Sequence, residues 1–563
     1  MTSPKSFTIQ CLDCGDFYPY SPLAAFCPHC RSQWGEARYD YQRLSIILPA
    51  LWRDRPFDLW RYRELLPIYG GQPPVTMGEG GTPLIHAPNL GMMLGCPHLY
   101  IKDERQGPTS SFKDRQAAVA ITSLKEAGVT EAVLASTGNV AIAYSAYAAR
   151  AGIKLWAFLT SLVPADKMRE VAIYGTQVVK VTGSYDQAKK IAAEFSRQRN
   201  LVLERGARTV PSVEAMKTIA FEIVEQLTAL LHPENTPASQ QTPPWRSPDW
   251  YIQAVSGGIG PLGVLKGFHE LREMGLIEKI PAIANIQADG CAPMVHAWKQ
   301  GEDTAQPVLS PRTHIATLAT GDPGRTYTLL SQRMRQLGGG VFESVSDEET
   351  FRTIHILAKM EGLSVEPAAA VAFAGLVKMV RAGVIKPTDI IVVNCTGHTM
   401  PVEKIILGDT WARSLEVSAQ AALETPEEGL LSALNKITVD RYPRIAIVDD
   451  LPEARRLIRR ILQAQGEYTI YEAGDGFEAI RLAETASPDL IILDLMMPEM
   501  DGFAVLDALK SNSKTASIPV IVVTAKELTT AERQRLQGQI HSLMQKGEFL
   551  NDELMDEIQA LVK

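Results

Sequence analysis

An α/β fold with more than one domain is predicted by three features of this sequence. Its 563 residues exceed the size at which a single hydrophobic core keeps growing. Short apolar runs alternate with stretches of helical periodicity, a pattern typical of parallel sheets covered by helices. Two closely spaced cysteine pairs precede this alternation. We therefore expect a small cysteine-rich segment followed by larger α/β domains.

The composition excludes several classes of protein. Hydrophobic residues make up 45% and charged residues 21% of the chain, as in ordinary globular proteins. A net charge of −8 argues against nucleic acid as a partner. No apolar run reaches the ~18 residues of a membrane span, and no apolar segment follows residues 1–5 as in a secretory signal. We expect a cytoplasmic protein without a membrane or nucleic-acid partner.

The cysteine pairs predict a metal site. Cys11 and Cys14 form one C-x-x-C pair, Cys27 and Cys30 form another, and 12 residues separate the pairs. Each pair can turn two thiolates toward one tetrahedral Zn²⁺, and four protein ligands indicate a structural site. Free thiols or a disulfide are the alternatives, and His29 is a poorer ligand. The other cysteines are expected to be small buried hydrophobic residues: Cys96, Cys291 and Cys395.

Strand and helix patterns alternate from residue 41 to about residue 400. Buried strands are predicted at 99–102, 132–135, 155–159, 178–181, 251–255 and 390–395. Helices are predicted at 116–127, 140–151, 165–173, 185–199 and 262–274, after an early helical region within 41–66. The proline-rich stretch 231–250 reads as a surface loop.

Lys113 lies where the polar loop 108–112 gives way to a helix. A lysine at the mouth of a pocket can lose its charge by desolvation and attack an aldehyde, which is how pyridoxal phosphate is held. The alternative is an ordinary solvated surface lysine. Three other polar turns decide between these interpretations.

Each of these turns follows a predicted strand. Ser136, Thr137 and Gly138 precede a helix whose N-terminus suits an amino-acid carboxylate, although a simple capping turn is the alternative. The next turn can close backbone N–H groups on a phosphate through Gly257, Gly258, Ile259 and Gly260. Thr396 follows a buried strand, and its neutral hydroxyl can face a pyridine nitrogen.

Residues 1 to about 410 resemble threonine synthases, pyridoxal-phosphate enzymes of fold type II. The resemblance is carried, in family order, by the cysteine pairs and by GEGGTPL (78–84), SFKDR (111–115), STGN (136–139), GGIG (257–260), QADGCAP (287–293), EP (366–367) and TGH (396–398). It implies that Lys113 holds the cofactor and moves protons, and that Asn139 contacts the ring's 3′-oxygen. It also implies that 257–260 bind the cofactor phosphate and that Thr396 faces the ring nitrogen. The family reaction converts O-phosphohomoserine and water into threonine and phosphate, and the class usually forms homodimers.

One departure from the family bears on the substrate. Gly206, Ala207 and Ser212 stand where threonine synthases hold the substrate phosphate with Asn, Ser and Arg. Arg208 is nearby but offset, and two other cations of this region, Lys102 and Arg115, are substitutes to consider. Another small amino acid with a β- or γ-leaving group is therefore an alternative substrate. The enzyme would then act like a threonine or serine dehydratase, or it would use phosphoserine. A further alternative is a non-catalytic, ligand-binding protein of a phosphorelay. Asp114, directly after the lysine, favours the synthase.

The last 120 or so residues alternate strand and helix again, and four strand ends carry functional side chains. Asp449 and Asp450 follow 444–448, Asp494 follows 490–493, Thr524 follows 519–523 and Lys546 follows 542–545. The carboxyl ends of parallel strands share one edge, so these residues should converge. Three carboxylates suit Mg²⁺, and a crowded aspartate can accept a phosphoryl group.

This region resembles a response-regulator receiver domain, a flavodoxin-like (βα)5 fold. The resemblance implies Mg²⁺ on Asp449, Asp450 and Asp494, phosphorylation of Asp494, and supporting roles for Thr524 and Lys546. It also implies a cognate histidine kinase or phosphotransfer protein. Leu543 stands where an aromatic switch residue is common. The predicted organisation is a zinc ribbon at 1–40, a two-lobed catalytic region at 41–410, a helical linker at 411–442 and a receiver at 443–563, with phosphorylation controlling catalysis or assembly.

Overall fold

The computed structural model describes residues 7–23, 26–136, 138–160, 163–182, 185–231, 244–398, 442–465, 468–526, 528–546 and 553–561. The chain divides into two compact units. The first comprises Met1–Pro88, Cys96–Ile354 and Ser364–His398. The second comprises Asn89–Gly95, His355–Leu363 and Thr399–Lys563.

The first unit begins with a small antiparallel sheet. It contains β1 (Thr8–Cys11), β2 (Phe17–Tyr18) and β3 (Gly35–Arg38), in the order β2-β1-β3. Ile9 and Ala37 are buried and join the main hydrophobic core of the unit. The cysteine pairs therefore stand on a sheet that is packed onto the larger fold.

A six-stranded sheet forms the larger lobe. Its strands are β4 (Leu84–His86), β5 (Leu99–Asp103), β10 (Trp250–Ala254), β11 (Ala282–Ala288), β12 (Gly340–Val345) and β13 (Ile391–Cys395). Their order is β12-β11-β10-β13-β5-β4, and every pairing is parallel except that of β4 with β5. In this order β13 lies between β5 and β10. Because these three strands are parallel, their carboxyl ends share one edge of the sheet.

A four-stranded parallel sheet forms the smaller lobe. Its strands are β6 (Glu131–Ser136), β7 (Lys154–Thr160), β8 (Gln177–Val181) and β9 (Val202–Leu203), in the order β8-β7-β6-β9. The central strands β6 and β7 are largely apolar and buried along most of their length, as expected for strands covered on both faces.

Helices alternate with these strands along the chain, and two of them include segments of the second unit, 89–94 and 355–361. They are α1 (Tyr41–Arg53), α2 (Pro88–Leu94), α3 (Lys113–Glu126), α4 (Asn139–Ala151), α5 (Ala165–Ile173), α6 (Tyr185–Arg199), α7 (Val210–Leu231), α8 (Ile259–Glu273), α9 (Pro293–Gln300), α10 (Arg325–Gln336), α11 (Asp347–Glu361) and α12 (Pro367–Arg381). The long α7 is buried along most of its length and packs against α3 and α8. It therefore supports two helices that begin at predicted cofactor-binding residues, α3 at Lys113 and α8 at the glycine turn.

The second unit contains a five-stranded parallel sheet. Its strands are β14 (Arg444–Val448), β15 (Thr469–Ala473), β16 (Leu490–Leu493), β17 (Val520–Thr524) and β18 (Ser542–Gln545), in the order β15-β14-β16-β17-β18. Its helices are α13 (Pro452–Gln465), α14 (Gly476–Ala486), α15 (Gly502–Ser511), α16 (Thr530–Leu536) and α17 (Glu553–Leu561). This strand order is that of flavodoxin-like folds, as predicted.

The predicted strands and helices of both regions are present, with ends that differ by a few residues. The linker helix predicted within 411–442 falls on 399–441, outside the described residues, as does most of the proline-rich stretch. Among the helices that the structure describes, none combines the length and apolar character needed to cross a bilayer.

Candidate active site and receiver site

The loop that carries Lys113 is fixed by backbone hydrogen bonds to the end of β13. The N–H of Phe112 donates to the carbonyl oxygen of Thr396 at 3.1 Å, and the N–H of His398 donates to that of Ser110 at 3.0 Å. The N–H of Glu366 donates to the carbonyl oxygen of Gly397 at 3.2 Å. Three segments distant in sequence therefore meet at the start of α3.

A cavity of about 550 Å³ opens at this meeting point. The predicted cofactor-binding residues all line it: Lys113, Asn139, Gly257, Gly258, Ile259, Gly260 and Thr396. Ser136 lines it too, whereas the predicted Thr137 lies outside the described residues. The structure thus brings together side chains and turns from both lobes in one concave site.

Lys113 is held in a desolvated position. Burial lowers the pKa of its amine to about 8, although Glu204 and Glu366 favour the charged form. Its Nζ lies 4.0 Å from the centre of the Phe112 ring. A lysine in this state can become the neutral amine that reacts with an aldehyde.

The glycine turn presents backbone rather than side chains to the cavity. Gly258 has φ +84°, a left-handed conformation that favours glycine, and α8 begins at the next residue. No heavy atom lies within 4 Å of the position of a Cβ on Gly257, so this residue faces open space. The turn, the amine and the Thr396 hydroxyl therefore fit the phosphate, aldehyde and ring nitrogen of pyridoxal phosphate.

Ser136 and Gly138 shape the turn at the start of α4. The Oγ of Ser136 accepts hydrogen bonds from the N–H groups of Gly138 at 3.0 Å and Ala141 at 3.1 Å. Gly138 has φ +145°. The capping interpretation of this serine is therefore correct, and the turn still lines the cavity beside Asn139.

Asn139 belongs to a polar cluster that sequence reasoning missed. Its Nδ2 donates to Glu366 Oε1 at 2.7 Å. Lys167 Nζ donates to Asn139 Oδ1 at 3.0 Å and to Glu366 Oε2 at 3.2 Å. Glu366 lies in the EP motif at 366–367, but the motif alone does not indicate its role. Nothing in the local sequence of α5 singles out Lys167.

The region expected to hold a substrate phosphate contains a carboxyl group. Gly206 and Ala207 line the cavity, but Ser212 is fully buried and hydrogen-bonds Tyr144 and Glu204. The carboxylate of Glu204 accepts the N–H of Gly206 at 2.9 Å. Burial raises the pKa of Glu204, while these hydrogen bonds and Lys113 oppose the shift. Sequence reasoning missed Glu204, which lies just after the two-residue strand β9.

The suggestion that Lys102 or Arg115 binds the substrate is wrong. Both side chains are almost completely buried and lie outside the lining of the cavity. Lys102 pairs with Glu222 at 2.6 Å, and Arg115 pairs with Glu222 at 2.5 Å and Glu104 at 2.8 Å. The opposite charges of these buried side chains balance one another beside α3. The network therefore stabilises the loop that carries Lys113.

The four N-terminal cysteines converge, as predicted. Cys11 and Cys30 have their Sγ atoms 3.5 Å apart, those of Cys14 and Cys27 are 3.8 Å apart, and all four lie within 4.8 Å of one another. Four thiolates about 2.3 Å from one zinc ion would be separated by about 3.8 Å. The exposed His29 is not part of the group. The donor set therefore fits a tetrahedral metal ion, and the three remaining cysteines are buried singly, as expected.

The receiver residues converge at the carboxyl edge of the second sheet. Ligand oxygens of Asp449, Asp450 and Asp494 lie within 4.8 Å of one another, a set that fits Mg²⁺. Lys546 Nζ lies 2.5 Å from Asp494 Oδ2 and 2.6 Å from Asp449 Oδ2. Thr524 is buried, and its carbonyl oxygen accepts the N–H of Lys546 at 2.9 Å.

Comparison with known proteins agrees with both sites. Residues 75–397 match the family described as pyridoxal-phosphate dependent enzyme, and residues 445–559 match the response regulator receiver domain. The chain is thus a pyridoxal-phosphate-dependent lyase joined to a receiver domain.

Named relatives define the enzyme more narrowly. Threonine synthase of Methanosarcina acetivorans is 32% identical over 70% of this chain and 92% of its own length. That of Methanocaldococcus jannaschii is 33% identical over 69% of this chain and 91% of its own length. The chain belongs to the threonine synthase family. A solved structure of diaminopropionate ammonia lyase from Escherichia coli shares the fold, with a TM-score of 0.50 at 14% identity over 66% of this chain and 94% of that one.

Proposed function

We propose that this protein converts O-phosphohomoserine and water into threonine and phosphate, and that phosphorylation of Asp494 controls its activity or assembly. The main support is the buried amine of Lys113, whose pKa is lowered to about 8. It shares one cavity with a glycine turn, an asparagine and a threonine hydroxyl. The named relatives, matched over more than nine-tenths of their length, support the choice of reaction.

The residues of the cavity have distinct proposed roles. Lys113 would bind the cofactor aldehyde through its amine. Once the substrate amino group has displaced it, the freed amine would remove the proton from the substrate α-carbon and return protons along the side chain. The N–H groups of 257–260 and the start of α8 hold the cofactor phosphate, Asn139 orients the ring, and the Thr396 hydroxyl faces its nitrogen. When bound there, pyridoxal phosphate supplies the electron sink for charge at the α-carbon.

Substrate binding is assigned to the turn before α4. Ser136 lines the cavity at the N-terminus of α4, which suits the substrate carboxylate, and its Oγ holds the N–H of Gly138; Thr137 lies outside the described residues. Lys167 holds Asn139 in place beside this turn, and its charge is paired with Glu366. This arrangement suits a small amino acid, whether or not its leaving group is phosphate.

A second candidate is elimination from a β- or γ-substituted amino acid whose leaving group is not phosphate. The carboxyl of Glu204 beside Gly206 is the observation that favours it, since an ionised carboxylate repels a phosphate dianion. A neutral Glu204, which burial favours, does not repel the phosphate and retains one O–H donor.

Product analysis separates the two candidates. Purified protein with pyridoxal phosphate should release phosphate and threonine in equal amounts from O-phosphohomoserine. Serine, threonine and phosphoserine should give little keto acid by comparison. Keto acid from serine or threonine with no phosphate release from phosphohomoserine would support the second candidate. Borohydride reduction and peptide mapping should locate the cofactor on Lys113.

The metal sites have supporting roles in this proposal. Zn²⁺ on Cys11, Cys14, Cys27 and Cys30 would crosslink the N-terminal sheet, a structural role since no ligand position stays open. Mg²⁺ on Asp449, Asp450 and Asp494 would neutralise charge during phosphoryl transfer, and Lys546 and Thr524 would contact the bound phosphoryl group. The phosphoryl donor would be a histidine kinase or phosphotransfer protein, and the enzyme would act as a homodimer in the cytoplasm.

A further inference from the structure

Three arginines line the cavity that contains Lys113: Arg205, Arg208 and Arg325. Each of them is contacted by the cysteine segment, which we define as residues 11–34. The contacts come from Asp13, which lies within the first cysteine pair, and from residues on either side of the second pair: Phe26, Gln33 and Trp34. The proposed reaction gives the three arginines no role.

Arg205 and Arg208 lie on the short turn that precedes α7. Arg205 stacks 5.9 Å from the centre of the Phe26 ring, next to Cys27, and Arg208 Nη1 donates to Gln33 Oε1 at 2.6 Å. Within the described part of the chain, neither guanidinium forms an ion pair with a carboxylate. Burial and the neighbouring Arg208 lower the pKa of Arg205, while the charge of Glu204, which lines the same cavity, opposes the shift. Two like charges placed together without an ion-pair partner favour the binding of an anion.

Arg325 differs from this pair. It forms an ion pair with Asp13, which lies between Cys11 and Cys14, and its guanidinium stands 5.7 Å from the centre of the Trp34 ring. Its charge is therefore already balanced. Arg325 ties the cysteine segment to the rim of the cavity rather than offering a free cation.

We propose that Arg205 and Arg208 form the subsite for the anionic end of the substrate side chain, and that the cysteine segment holds them in position. The inference rests on the proposed function, and it explains how a phosphate can be bound although Gly206, Ala207 and Ser212 replace the residues expected there. Two guanidinium groups match the charge of a phosphate dianion and can bind it through paired N–H donors. Phe26 and Gln33 act as positioning residues.

The test uses the full-length protein loaded with pyridoxal phosphate, and inorganic phosphate as the probe. Phosphate should inhibit turnover competitively, and calorimetry should give a dissociation constant that rises about 10-fold to 100-fold in Arg205→Gln and in Arg208→Gln. With O-phosphohomoserine, KM should rise by a similar factor while kcat changes less than about 2-fold. Arg208→Lys should recover part of the affinity.

Two further variants separate positioning from charge. Gln33→Ala removes only the contact to Arg208, so it should raise the phosphate dissociation constant less than Arg208→Gln does. Arg197→Gln is the matched control, because Arg197 is exposed, pairs with Glu194 and lies outside this cavity. The cofactor absorbance spectrum, unchanged in each variant, confirms that the fold is intact.

The outcomes keep the two proposals apart. If phosphate binds both arginine variants as tightly as the parent protein, or if kcat alone falls, the subsite is overturned. If phosphate binding depends on the arginines but O-phosphohomoserine is not turned over, the subsite stands and the proposed reaction fails. If a glutamine variant loses its cofactor spectrum, Gln33→Ala decides in its place, and a phosphate dissociation constant of Gln33→Ala equal to that of the parent protein would contradict the inference.

Discussion

The receiver site and the enzyme cavity prepare reactive groups in opposite ways. In the receiver, Lys546 lies 2.5 Å from Asp494 and 2.6 Å from Asp449, and these carboxylates raise the pKa of the Lys546 amine although burial opposes the shift. Lys113 forms no ion pair with a carboxylate among the described residues, and burial lowers its pKa to about 8. The receiver keeps its lysine charged by pairing, whereas the enzyme cavity favours a neutral lysine by desolvation.

The buried cations next to Lys113 show that position decides between these outcomes. Lys102 and Arg115 lie in the same stretch of sequence, but their charges are paired with the carboxylates of Glu222 and Glu104. Their charges are compensated inside the core, whereas that of Lys113 is exposed to a cavity. The four predictions below test this difference, beginning with the largest effect.

Removal of the Lys113 amine should have the largest effect. Lys113→Ala should lower turnover by about 10³-fold or more, because both the covalent attachment and the proton transfers are lost. The cofactor absorbance of the purified protein should disappear. Steady-state kinetics and spectra measure both quantities.

Lys125→Ala is the matched control for this variant, because Lys125 lies in the last turn of the same helix. Its kinetics and spectrum should equal those of the parent protein. Full turnover by Lys113→Ala would show that another amine is the reactive one.

Disruption of the buried ion network should have the next largest effect, this time on stability. Although burial opposes ionisation, Arg115 and Lys102 lower the pKa of Glu222 to about 2. Glu222→Ala leaves two buried cations short of a partner and should destabilise the catalytic unit by about 3–5 kcal/mol. Calorimetric unfolding of the full-length protein measures the change.

The same network predicts a pH dependence of stability. The folded-state pKa of Glu222 lies below its ordinary value, so its contribution is present above pH 4.5 and is lost as pH falls toward about 2. Glu194→Gln, on the exposed face of α6, should leave the unfolding temperature unchanged. Equal stability of Glu222→Ala and the parent at pH 7 would contradict the role assigned to the network.

The two sites also differ in how far the sequence predicted them. Every receiver residue stands at the end of a parallel strand or within two residues after it, and the common edge of the sheet brings such positions together. In the enzyme, Lys113 and Thr396 were predicted because recognisable turns follow strands. Glu204, directly after a two-residue strand, lines the cavity, and Lys167, on an unremarkable helix, contacts the cavity residue Asn139. Both positions depend on the tertiary packing of the fold.

The sequence of the lysine loop likewise does not show which way its polar side chains point. Arg115 and Lys113 are two positions apart on α3, and only the position of α7 behind the helix sends one side chain to Glu222 and leaves the other at the cavity. The sequence shows where a helix starts, but it does not show which element packs against each face of that helix.

Phosphorylation of the receiver should have a smaller effect on the enzyme. Acetyl phosphate with Mg²⁺ should modify Asp494 and change kcat/KM or the oligomeric state, with coupling of about 5-fold to 150-fold in line with linked sites in one protein. Asp494→Asn should remain unmodified and show no such response. Kinetics and assembly that stay the same on complete phosphorylation would contradict the regulatory proposal, while leaving the catalytic one intact.

The smallest predicted effect concerns the pH dependence of cofactor binding to the protein freed of cofactor. A pKa of about 8 for Lys113 means that the neutral amine increases about 10-fold from pH 7 to pH 9, whereas an ordinary lysine increases about 100-fold. The rate of pyridoxal phosphate uptake, followed by absorbance, should show the shallower dependence. Nα-acetyl-lysine is the control, because changes in the aldehyde itself affect both reactions equally. A 100-fold rise in the protein would show that Lys113 is solvated.

Glu204→Gln refines this test, because its carboxylate is the larger of the two charges that favour the protonated amine. Without that charge, the pKa of Lys113 should fall further, so uptake at pH 7 should become faster and the pH profile flatter. Lys125→Ala should leave the profile unchanged. A steeper profile in Glu204→Gln would mean that Glu204 promotes the neutral amine, and it would reverse the electrostatic difference drawn here between the cavity and the receiver.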